Sequence, residues 1–118
     1  MIFVAAGALA SEGRDLSDMN LPGAQADAIS ALAGANTNVV VVLVNNGPVS
    51  LQPWGDAVPA ILAIHYAGQA TGDALADVLT GRANPAGKLS YTFGKRLGDY
   101  PCHALGEWPA RCSLCGFQ

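Results

Sequence analysis

Val39-Val40-Val41-Val42-Leu43-Val44, stopped by Asn45-Asn46-Gly47-Pro48, is the stretch on which the fold turns. Four valines in a row favour extended backbone. An unbroken apolar run, rather than an alternation of apolar and polar, predicts a strand buried on both faces, as in a parallel sheet. The Asn-Asn-Gly-Pro cluster ends it. On its N-terminal side, Ile2 to Ala6 has the same character and predicts a short buried strand. Leu21-Pro22-Gly23 is expected to open a helix, with Pro in its first turn. Ile29, Leu32 and Ala33 lie on one stripe of that helix, which Gly34 and Asn36 close. On the C-terminal side, Pro59 precedes a third apolar run, Ala60 to Ile64. Gln69 to Leu79 returns to helical spacing through Leu75, Val78 and Leu79, up to Gly81. A turn, Asn84-Pro85-Ala86-Gly87, then leads to Leu89 to Phe93, a further strand candidate. Strands that alternate with helices need crossovers, so the expected fold is α/β: a three-layer sandwich with a mostly parallel sheet, flavodoxin-like and incomplete. Residues 1–101 carry this pattern. Periodicity is lost from Cys102, so 102–118 read as an irregular tail.

Composition narrows the function. The chain has 118 residues, enough for one domain. Its 51% hydrophobic and 13% charged residues exclude a disordered segment. Six Lys and Arg against nine Asp and Glu give a net charge of −3, and the basic residues are scattered apart from Lys95-Arg96. No cationic surface for a phosphate backbone results, so nucleic acid is not an expected partner. A membrane is not expected either, because no apolar run approaches the roughly 20 residues of a spanning helix. Ala8-Leu9-Ala10 looks like a signal-peptidase site, but the opening residues lack the cationic start of a signal peptide and read better as a strand. Three cysteines, all beyond position 101, make no disulfide framework and assign no compartment.

Most candidate motifs fail on context. Gly81 to Leu89 resembles a phosphate-binding loop, but five residues separate Gly81 from Gly87. Leu89 stands where a magnesium-binding Ser or Thr is required, and a strand rather than a helix follows. No G-x-G-x-x-G follows a strand. Cys112-Ser113-Leu114-Cys115, with Cys102 and His103, matches no common zinc spacing. No cofactor or metal is therefore expected. His65, at a strand end, reads as a packed, hydrogen-bonded histidine ahead of a site residue. Asp73 and Asp77, four apart on one helix, read as a solvated face. Trp54, after Pro53, fits a sugar platform and a core plug equally. Ligands of open parallel sheets gather at the carboxyl ends of the strands. That rim is expected at residues 7–15, at Asn45-Asn46 and at His65-Tyr66. Glu12 is the carboxylate that closely follows a strand and sits beside a glycine; Asp15 lies three residues on.

At this point the sequence resembles the second, α/β-sandwich domain of family 3 glycoside hydrolases, the β-glucosidase-like enzymes. The resemblance runs from Glu12-Gly13 with Asp15 through Met19-Asn20-Leu21-Pro22-Gly23 with Gln25. Val39-Val40-Val41-Val42-Leu43, Gly47-Pro48-Val49, Pro53-Trp54 and Val58-Pro59-Ala60-Ile61-Leu62 continue it. It is densest in Gly68-Gln69, Gly72, Ala76-Asp77-Val78-Leu79, Gly81, Asn84-Pro85, Gly87-Lys88-Leu89 and Thr92-Phe93. The order and spacing of these pieces make the match specific over residues 1–101, and 104–111 still resemble some bacterial members.

The resemblance implies hydrolysis of a terminal β-linked sugar with retention of configuration, and no cofactor. Such chemistry needs two carboxyl groups about 5–5.5 Å apart. In this family the nucleophile is an Asp of a preceding barrel domain, and in many members the general acid/base is the Glu of a Glu-Gly pair in this second domain. Glu12 stands at that position. Its pKa would be raised by desolvation against the barrel and the bound sugar. Asp15 is carried over as a substrate-binding residue. Several positions depart from the family: Leu16 stands where Arg often follows the matched Asp, and Ala10 where many members have an acidic residue. His65-Tyr66-Ala67 replaces an aromatic-x-Pro, and Ser90 and Gly94 replace prolines. A barrel needs about 250 residues, so this chain is expected to supply the acid/base without the nucleophile. Its expected partners are a β-linked oligosaccharide or glycoside and the missing N-terminal barrel domain, as for a gene fragment or frameshifted product. The alternatives are a non-catalytic α/β module that binds a sugar or a partner protein, and a flavodoxin-like nucleotide binder, which no phosphate loop supports.

Overall fold

The computed structural model describes residues 1–7 and 16–100. Three strands form one sheet in the order β1-β2-β3: β1 is Ile2–Ala6, β2 is Val40–Val44 and β3 is Ala60–Ala63. Both pairings are parallel. Val4 lies beside Val42, which lies beside Leu62. Helix α1 spans Gln25–Ala35 and helix α2 spans Thr71–Leu79. The chain is thus an α/β fold with a parallel sheet, as its alternating pattern predicts.

Side chains alternate between the two faces of each strand. One face carries Phe3, Ala5, Val41 and Leu43. Ile29 of α1, Leu21, Val49, Trp54 and Val58 pack against this face as a single apolar cluster. The other face carries Ile2, Val4 and Val42. Val42 is fully buried, but Ile2 and Val4 are exposed. The expectation that β1 would be buried on both sides is therefore corrected. Its apolar composition reflects a capacity for burial, and on this face the described residues leave Ile2 and Val4 more than half exposed.

Two further expectations need adjusting. Helix α1 begins at Gln25, not at Pro22, because Gly23 adopts φ +64°, a left-handed turn that no right-handed helix contains. Residues 22–24 form that turn, and Leu21 is buried beneath it. Residues 89–93 join no strand ladder. Side chains bind this segment instead. The Tyr100 hydroxyl donates to the Thr92 carbonyl at 3.0 Å and accepts the Gly94 N–H at 2.6 Å.

Helix α2 is held at its start by the Thr71 hydroxyl on the Gly68 carbonyl at 2.5 Å, and its last turn carries the Thr80 hydroxyl on Ala76 O at 2.6 Å. It buries none of its residues fully. Asp73 is exposed, and Asp77 pairs with Arg82 at 2.8 Å, in keeping with a solvated face. No helix among the described residues is long and apolar enough to cross a membrane.

Candidate functional site

All three strands run the same way, so their carboxyl ends share one rim. The rim is held together by backbone bonds. The Gly7 N–H donates to Val44 O at 3.0 Å, and the Ile64 N–H to Leu43 O at 3.0 Å. Asn45 leaves the end of β2 and His65 follows β3. Gly7 leaves β1 directly beside Asn45: a Cβ built on Gly7 would lie 3.2 Å from the Asn45 Cβ. Only a residue without a side chain lets the chain pass there without displacing Asn45. The three positions expected on the rim from sequence therefore meet in space.

A small polar cluster forms at this rim. The Asn45 side chain is buried. Its Nδ2 donates to the Gly47 carbonyl and, at 3.4 Å, to the Tyr91 hydroxyl. That hydroxyl lies 3.1 Å from His65 Nδ1, which is also 3.3 Å from the Asn45 carbonyl. The two rings meet edge-on with centroids 5.6 Å apart. Burial pushes the Tyr91 pKa up, against a smaller lowering by the Asn45 amide, so the phenol keeps its proton at neutral pH and remains a donor. His65 holds φ 51°, a backbone conformation that costs a non-glycine residue about 1–2 kcal/mol. It is a packed, hydrogen-bonded histidine, as the sequence suggested.

Asn45 Oδ1 is buried and meets no donor among the described residues. A buried oxygen without a partner costs about 1–3 kcal/mol, and native proteins carry few of them. The oxygen belongs to the residue that Gly7 passes as the chain leaves β1. Sequence reading used Asn45 as a strand stop and as part of the rim, and Tyr91 only as a strand residue. The signal for Asn45 was available, since an amide at the carboxyl end of a buried strand is well placed to accept or donate at the rim. Tyr91 gave no such signal, because its role depends on a segment that crosses the strand ends instead of joining them.

Trp54 resolves the other open choice. It is fully buried in the apolar cluster and is a core plug, not a sugar platform. Its Nε1 likewise meets no acceptor among the described residues. Glu12 and Asp15 lie outside the described residues, as do Cys102, His103, Cys112 and Cys115. What is described is where the 8–15 stretch joins the fold: it leaves Gly7 at the carboxyl rim and returns at Leu16. Among the described residues, no group of three or more His, Cys, Asp or Glu could hold a metal ion.

Residues 1–111 match the model described as the glycosyl hydrolase family 3 C-terminal domain. The chain belongs to this family. Among curated proteins, a beta-glucosidase of Rhizobium radiobacter is 53% identical over 89 residues, covering 75% of this chain and 11% of that protein. Thermostable beta-glucosidase B of Acetivibrio thermocellus is 46% identical over 93 residues, covering 79% of this chain and 12% of that protein. The crystal structure of a beta-glucosidase from Kluyveromyces marxianus in complex with glucose superposes with a TM-score of 0.81 at 33% identity, over 87% of this chain and 12% of that one. The family 3 domain described here thus spans about an eighth of the length of these relatives.

Proposed function

We propose that this chain is part of a retaining, exo-acting β-glycosidase of the β-glucosidase kind, and that Glu12 is its general acid/base. Family membership supports the reaction, and the position of Gly7 at the carboxyl rim, just ahead of residues 8–15, supports the residue. That stretch leaves β1 at the carboxyl rim, the edge of a parallel sheet where ligands bind, and Glu12 is its one glutamate. In the first step the Glu12 carboxylic acid protonates the departing glycosidic oxygen while an Asp of a barrel domain attacks the anomeric carbon. In the second, the Glu12 carboxylate takes a proton from the water that releases the sugar. Asp15, three residues on, binds the sugar. The barrel, which the 118 residues do not contain, brings the nucleophile, so the chain by itself turns over no glycoside.

A chimera tests the reading. This chain replaces the matching segment of the Rhizobium radiobacter beta-glucosidase, and hydrolysis of aryl β-glucosides is followed. We expect an active chimera. We expect Glu12→Gln to lose about 10²–10⁴-fold with a poor leaving group, and far less with a dinitrophenolate, which needs no proton. An equal loss with both leaving groups removes Glu12 from the acid role.

The exposed Ile2 and Val4 favour a second reading, a non-catalytic module that docks a partner protein through the uncovered face of the sheet. Light scattering on the purified chain separates the two. A monodisperse monomer counts against a face that requires a partner.

A further inference from the structure

A cavity of about 580 Å³ lies beside β3, between the sheet and residues 85–93. Leu43, Ile61 and Ala63 form one wall, and Leu89 and Phe93 the other. Ile61 is 37% exposed and Leu89 is 57% exposed. Two large apolar side chains therefore face open space within one concavity, in a volume typical of a small-molecule site. Among the described lining residues, Lys88 and His65 carry polar side chains, Lys88 is the only one with a permanent charge, and none is Asp or Glu. Among the described residues the ion pairs are Arg82 with Asp77 and Arg96 with Asp99, and Lys88 belongs to neither. His65 has its Nδ1 engaged by Tyr91 and the Asn45 carbonyl, and its Nε2 makes no bond among the described residues.

We propose that this cavity is a binding site for a planar, apolar molecule carrying one negative charge, such as an aromatic carboxylate. The ring lies between the Ile61 and Leu89 walls, and the carboxylate is drawn to Lys88. Apolar walls alone would accept any aromatic ring. An ammonium with no carboxylate partner and no acidic lining among the described residues selects the anion over a neutral or cationic isostere. The proposal rests neither on Glu12 nor on hydrolysis, so it stands or falls separately from the reading above.

Three probes share one ring system and differ in charge: 2-naphthoate, 2-naphthalenemethanol and 2-naphthylmethylammonium. Each is titrated into the isotope-labelled full chain while amide shifts are recorded. Shifts at His65, Lys88 and Leu89 are expected for naphthoate, which binds about two- to fivefold more tightly than the alcohol at low salt. The ammonium binds most weakly. At about 0.5 M salt the advantage of the anion shrinks, because Lys88 is exposed and screened. Lys88→Gln removes the difference between naphthoate and the alcohol but leaves the affinity of the alcohol unchanged. Leu89→Ser, at an exposed position that does not govern folding, weakens both alike. Shifts elsewhere, equal binding of all three probes, or an anion preference that survives Lys88→Gln overturns the proposal.

Discussion

Val4 and Val42 are the same residue in adjacent strands, side by side on the same face of the sheet. Val42 is 0% exposed and Val4 is 56% exposed. The difference lies in their neighbours. Val42 belongs to the central strand and has a registered partner on each side, Val4 and Leu62. Val4 belongs to an edge strand and has a partner on one side. On the opposite face the contrast disappears, because Ala5 of the edge strand and Val41 and Leu43 of the central one are all buried under Trp54 and Ile29. Along β1 and β2 one face of this sheet is a finished core, and the other is finished only along β2. A surface left open in this way is where the remainder of a larger enzyme would pack under the proposed function.

The largest effect should come from the finished face. Trp54→Ala removes its biggest buried side chain and is expected to cost about 3–5 kcal/mol. That is a large share of the roughly 5–15 kcal/mol that holds a domain folded. Urea unfolding would show it as a midpoint shifted far down, or as a chain without a cooperative transition. A loss below about 1 kcal/mol would mean that the cluster around Trp54 does not stabilise the fold.

Next in size is Val42→Thr. The substitution nearly keeps the shape but buries a hydroxyl, at a cost of about 1–3 kcal/mol if no partner is found. The midpoint should fall with the denaturant slope unchanged, which marks a change in stability and not in the surface exposed on unfolding.

Much of this architecture was legible in the sequence because backbone preference and burial point the same way in β2. Valine-rich composition, the stop at Asn45-Asn46 and the central position all agree. The limits of β1 were equally legible, but its burial was not. Composition reports that Ile2 and Val4 could be covered, whereas cover depends on distant parts of the chain. The rim was legible as a location, since three strand ends had to meet there. Its wiring was not, because Tyr91 reaches Asn45 and His65 across 46 and 26 residues from a segment that read as a further strand. Local composition shows that a segment can be extended; it does not show whether an edge is free to pair with it. Glu12 was singled out through its neighbour Gly13 and through resemblance, not through any periodicity, and it lies outside the described residues.

The rim contributes less than the core. Tyr91→Phe keeps the ring against Phe93, whose centroid is 5.4 Å away, and removes the hydroxyl between Asn45 and His65. A cost of about 0.5–1.5 kcal/mol is expected, the usual net value of a hydrogen bond. Asn45 keeps its bond to the Gly47 carbonyl, so its amide is not left without an acceptor. A larger loss would mean that the hydroxyl anchors the whole 85–93 segment, and hydrogen exchange along that segment would then rise in the variant.

The smallest effect is the one that tests the comparison most directly. Val4→Thr makes the same chemical change as Val42→Thr one strand away. Its hydroxyl is free to reach water, and threonine suits an extended backbone as well as valine does. The stability should stay within about 0.5 kcal/mol of the parent. The two substitutions together read the cover on each residue with the chemistry held constant. If Val4→Thr costs as much as Val42→Thr, then the uncovered face is covered in solution, by another copy of the chain or by residues of its own. In that case the penalty should depend on protein concentration if a second copy is responsible, and should not if the cover comes from within the chain.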